Sequence, residues 1–143
     1  MSNPDGSKCC GANDLGLLVL RLGFGGVMAF SHGLGKLNML LEGEKFPADP
    51  LGFGEQPTLI LAVLTEFVCS LLIVIGAGTR IAAFGLLCTM ATAIFLVHAN
   101  DPWDTKEPAV LFAIPALALL LTGAGRIAID PLIVKKIRGV PQA

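Results

Sequence analysis

The chain has 143 residues, of which 54% are hydrophobic and only 15% charged, whereas a soluble domain ordinarily carries about 25% charged residues. With a mean hydropathy of +0.75, this balance excludes a soluble domain of any size, and the length suits one compact unit. A net charge of −1 and a pI near 6.0 leave no basic surface for nucleic acid.

The chain opens with a polar tail, residues 1–14, that lacks the apolar run and small-residue cleavage site of a signal peptide. The first apolar segment is therefore expected to stay in the membrane. Cys9 and Cys10 in this tail read as solvent-facing residues, with metal binding or acylation as the sharper alternative. A bilayer core of about 30 Å takes about 20 apolar residues of helix. Four stretches meet that need: Leu15 to about Leu41, Pro57 to Ala77, Thr79 to Ala99, and Pro108 to about Ile129. The expected fold is all-α, an integral membrane antiparallel four-helix bundle over residues 15–130, followed by a basic tail at 131–143.

In the first span, Asn13 and Asp14 are N-cap candidates. Arg21 lies in its inner half, and an ionisable group at such a depth costs about 2.5–3.5 kcal/mol on insertion scales, so it should face inward. Gly23, Gly25, Gly26, Gly33 and Gly35 thin the helix; close packing is one reading, and a flat ligand against Gly23 and Gly26 is the other. His32 and Lys36 are four residues apart and share a face near the outer end. Lys36 reads as snorkelling to headgroups. His32 reads either as a satisfied core histidine or as a proton-transfer or ligand group. The loop 42–56 follows, with Phe46, Leu51 and Phe53 available to lie back on the membrane.

The second span starts with Pro57 in its first turn and carries Glu66 near its middle. Arg21 and Glu66 are expected to approach each other, either as a structural ion pair or with Glu66 handling protons. Cys69 follows Glu66 by three residues, and Cys69 and Cys88 read as packing residues. Gly76 and Gly78 force a tight antiparallel hairpin into the third span, which ends at His98. Trp103 is placed in the next loop, at the interface. Pro115 predicts a kink in the fourth span, and Gly123 and Gly125 mark its inner end. The short echo between residues 76–82 and 123–128 is what a duplicated hairpin would leave. Lys8, Arg80, Arg126, Lys135, Lys136 and Arg138 on one side, against Lys36, Lys45 and Lys106 on the other, predict that both termini are cytoplasmic.

His32, Glu66 and His98 are thus expected to line one outward-opening polar pocket. No metal is expected there, because no ligand pair has a spacing that enforces coordination. No nucleotide-binding loop, zinc-protease helix or serine-hydrolase elbow is present.

Leu20-Arg21-Leu22-Gly23, Ser31-His32-Gly33 with Lys36, Thr65-Glu66-Phe67, Thr79-Arg80-Ile81-Ala82-Ala83 and Gly123-Ala124-Gly125-Arg126-Ile127-Ala128-Ile129-Asp130 follow one another in the order of the DoxX family. The chain resembles that family from about Leu15 to Asp130. The resemblance implies a four-helix protein of the bacterial inner membrane. Some relatives are the membrane subunit of thiosulfate:quinone oxidoreductase, and others are tied to redox or thiol homeostasis with soluble partners. Arg21, His32, Lys36, Glu66 and Arg80 match its recurring polar positions.

The expected function is that of a membrane subunit in a quinone-linked redox system, in sulfur-compound oxidation or thiol homeostasis. His32, Glu66 and Lys36 are the candidate catalytic residues, while Arg21, Gly23, Gly26 and His98 are the candidate quinone-binding ones. Electrons would come from a soluble redox partner. A homo-oligomer with a site at its interface stays open, because four helices enclose little space. The alternative is a non-catalytic anchor, assembly factor or small-molecule carrier, in which the polar residues only hold the bundle together.

Overall fold

The computed structural model describes residues 11–131; Cys9, Cys10, Lys8 and the basic cluster Lys135, Lys136 and Arg138 lie outside the described residues. Four helices are long and apolar enough to cross a membrane: α1 (Ala12–Glu42), α2 (Glu55–Ile75), α3 (Thr79–Val97) and α4 (Trp103–Thr122). No strand occurs among the described residues. The all-α membrane bundle expected from hydropathy is what the chain forms.

Two boundaries differ from the sequence reading. α4 begins at Trp103 rather than Pro108 and ends at Thr122 rather than near Ile129. Pro102 is its extended N-cap residue, and the polar turn from Trp103 to Glu107 is helical although its hydropathy resembles a loop. The helix runs through Pro108 and Pro115 without interruption. At the other end Gly123 (φ 79°) and Gly125 (φ 76°) take conformations that only glycine adopts cheaply, and the chain turns back across the inner end of the bundle.

That returning segment ties three helices together. The Asp130 carboxylate accepts from the Gly78 amide at 2.6 Å and the Thr79 amide at 3.1 Å, capping α3. The Asp130 amide donates to the Gly76 carbonyl at 2.8 Å. Asp14, at the start of α1, accepts from the Arg126 amide at 2.9 Å. The beginning of α1 and the end of α4 therefore lie at the same end of the bundle.

The core is small and tightly interdigitated. Phe24 and Met28 of α1, Ile73 of α2, Ala82, Ala83, Leu86 and Met90 of α3, and Ala116 and Leu119 of α4 are its buried members. Alanines at the α3–α4 contact let the two backbones approach, which is how helices associate where lipid supplies no hydrophobic drive. Large apolar side chains such as Phe30, Ile81, Phe84, Phe95 and Leu121 point outward, as a lipid-facing belt must.

Four helical stretches widen into π-type turns: Arg21–Gly25, Met28–Gly33, Leu64–Cys69 and Ala93–Val97. Such turns gather at functional sites. Here they carry Arg21, His32 and Glu66, the ionisable residues that the sequence analysis marked inside the spans.

Candidate functional site

Gly33 brings α1 and α2 together at the level of Glu66. A Cβ on Gly33 would lie 2.6 Å from the Glu66 carbonyl oxygen and 2.7 Å from the Phe67 Cα, so only glycine permits this approach. One turn beyond Gly33, Lys36 reaches across and forms an ion pair with the Glu66 carboxylate. The Glu66 side chain is 5% exposed and that of Lys36 25%, so the pair sits at the boundary between the core and the outer surface. Together the charges are neutral, which lowers the cost of holding either one there. Lys36 does not snorkel away from the bundle.

Around this pair lies a chamber of about 170 Å³. Its lining includes Met28, His32, Lys36, Glu66, Met90, His98, Thr105 and Phe112. The expected convergence of His32, Glu66 and His98 therefore occurs, with Lys36 added. His32 meets the ring of Phe112 edge-on, with centroids 5.1 Å apart and planes at 78°. Among the described residues none hydrogen-bonds to its imidazole, and His32 is an exposed member of the lining. His98 is held differently: its Nδ1 lies 2.8 Å from the Asp101 carboxylate, which orients the ring at the chamber's outer rim. Phe46, from the loop between α1 and α2, lies 5.8 Å from the Lys36 ammonium, measured to the ring centroid. Asp49 fixes that loop by accepting from the amides of Phe53 (3.0 Å) and Gly54 (2.9 Å) and from the Thr58 hydroxyl (3.1 Å).

Arg21 is not part of this site, and its expected approach to Glu66 does not occur. It is 1% exposed and donates to the carbonyls of Val74 (3.4 Å) and Ile127. The physical reason is depth. Lys36, the true partner of Glu66, is fifteen residues along α1 from Arg21, about 22 Å of helix. Arg21 instead answers the Val74 carbonyl at the C-terminal end of α2, where a cation is favoured, and the Ile127 carbonyl of the returning segment. Arg80 does the same for α4, donating to the Leu121 carbonyl at 3.0 Å. Each odd-numbered helix thus supplies an arginine to the inner end of the even-numbered helix that follows it.

The glycines also divide. Gly25 and Gly33 are the close-packing positions, and a Cβ on Gly25 would lie 2.9 Å from the Ser70 carbonyl. Gly23 and Gly26 have no atom within 4 Å of such a Cβ. Gly23 lines a second, apolar cavity between α1 and α4, and Gly26 lines neither. Phe112, Met28, Met90 and Thr105 are lining residues that the sequence analysis missed, because such residues in or beside an apolar span carry no distinguishing signal. Among the described residues no three His, Cys, Asp or Glu side chains gather as metal ligands would.

The DoxX family model matches residues 16–99, a stretch that holds Arg21, His32, Lys36, Glu66 and His98. An "Uncharacterized protein" of Haemophilus influenzae is 34% identical over 88 residues, covering 57% of this chain and 66% of that protein, just under two thirds of its length. A Bacillus subtilis protein named "Putative oxidoreductase CatD" is 28% identical over 123 residues, covering 85% of this chain and 90% of its own length. No solved structure matches. With four membrane-spanning helices and a family match over more than half its length, the chain belongs to the DoxX family.

Proposed function

We propose that the protein is a membrane subunit of a redox system in the bacterial inner membrane, and that the outer chamber receives the head group of a lipid-soluble quinone. The observation that carries this reading is the chamber itself. At the edge of an apolar bundle, the exposed His32 lines the same chamber as the Lys36–Glu66 pair. The residues suit a quinone: Met28, Met90 and Phe112 would offer apolar walls to a flat ring, and His32 and Lys36 would hold its oxygens. The oxidoreductase name of the Bacillus subtilis relative supports a redox role.

A bound quinone supplies acceptance of two electrons and two protons. His32 gives or takes the proton at a ligand oxygen, in general acid–base fashion. Lys36 places a positive charge where negative charge develops on a ligand oxygen. Glu66, ion-paired with Lys36, would relay protons from the outer surface to the site. The electrons come from a soluble partner, and both termini face the cytoplasm.

Purified protein should melt at a higher temperature in the presence of a quinone, because a ligand specific to the native state stabilises it by mass action. His32→Asn and Glu66→Gln should remove that rise, and any quinone reduction, while each variant still melts cooperatively. Retained binding in both variants would reject the assigned roles. One observation favours the non-catalytic anchor or carrier: Lys36 and Glu66 already satisfy one another. On that reading the same substitutions would only lower the melting temperature.

A further inference from the structure

We infer that the apolar groove between α1 and α4 seats the isoprenoid tail of the quinone, with Phe112 as the gate between tail and head group. This rests on the head-group assignment above. The groove has a volume of about 390 Å³, more than twice that of the chamber. Gly23 forms its floor on α1, Leu111 and Pro115 form its wall on α4, and Glu107 stands at its outer rim. Val27 and Leu111 on its edges are exposed, so the groove opens sideways to lipid. From Glu107 to Pro115 it follows α4 for about 12 Å, the run of an extended chain rather than of a ring.

Two residues, Pro108 and Phe112, line both cavities. Phe112 touches His32 edge-on from the chamber side and lies 6.1 Å from Phe24, centroid to centroid, on the other. A molecule with a polar flat head and an apolar tail suits two adjacent spaces that share Pro108 and Phe112. The head enters past Phe112 from the bilayer, without crossing water. Gly23 keeps the floor low: a Cβ there meets nothing within 4 Å, so a larger side chain starts in open space beside the groove.

The test is a quinone carrying a photoreactive diazirine on its tail, illuminated with the full chain in nanodiscs, with the labelled residues mapped by mass spectrometry. Label should concentrate on Gly23–Val27 and Leu111–Pro115. It should fall about tenfold under excess unlabelled long-tail quinone, as competition by mass action requires, and fall similarly in Gly23→Leu. Label spread equally over lipid-facing positions such as Ile81 and Phe95, or label that quinone does not displace, overturns the groove assignment. A tail-less quinone, followed by quenching of Trp103, separates the two claims. If it binds while the tail label scatters, the chamber stands and the groove falls; if it does not bind either, both fall.

Discussion

Gly33 and Gly26 lie on the same helix and have opposite surroundings. Any side chain on Gly33 meets the backbone of α2 at Glu66 and Phe67, whereas Gly26 has open space. Gly33→Ala should therefore lower stability by about 1–3 kcal/mol through overpacking, and Gly26→Ala should leave it nearly unchanged, as read by thermal unfolding in detergent. Arg21 makes the second contrast at this scale. Its removal as Arg21→Met leaves the part-buried carbonyls of Val74 and Ile127 without their donor, at about 1–2 kcal/mol for each lost hydrogen bond. The melting temperature should fall while quinone binding at the outer chamber stays. Loss of binding with an unchanged melting curve would return Arg21 to the site. The sequence marked Arg21 as inward-facing, which it is, but did not identify its partner. That partner, the Ile127 carbonyl, comes from a segment folded back after Gly123, and no local pattern announces such a return.

At the scale of helices, the N-terminus of α3 is capped by a residue fifty-two positions away, Asp130 against Gly78. Asp130→Ala should cost about 1 kcal/mol, the usual value of a lost cap, and should raise hydrogen exchange at the first turn of α3 and not in its middle. The spans were legible because each is an apolar run of the right length. The start of α4 was not, since the polar turn from Trp103 to Glu107 is helical by its extended Pro102 cap and not by hydropathy. The shared face of His32 and Lys36 was legible from their four-residue spacing. That Lys36 turns inward to Glu66 rather than outward to headgroups depends on Gly33 letting α2 approach, a three-dimensional fact. Gly23 was legible only as a small residue; its place in the groove depends on the α4 wall of Leu111 and Pro115 opposite.

For the whole molecule, polar groups are sorted by depth into two layers. At the inner end Arg21, Arg80, Asp14 and Asp130 close the helix termini. From the middle of α2 to the outer end, Glu66, Lys36, His32 and His98 line one chamber. The first layer holds the bundle together, and the second is where the proposed ligand would sit. Both ends of the bundle's chain emerge beside the inner layer, so reporter fusions at the N- and C-termini should report the same side of the membrane, the cytoplasm by the excess of cations. A reporter pair split across the bilayer would contradict the orientation. The central claim is that the part-buried Lys36–Glu66 pair serves a ligand rather than only the architecture. Replacing both partners by apolar residues of similar volume, Lys36→Met with Glu66→Leu, should leave stability equal or higher, as buried ion pairs usually allow. The measurement is quinone binding on that double variant, with its melting curve taken on the same sample. The account predicts a folded protein that no longer binds quinone. A folded double variant that binds quinone as the wild type does would contradict it.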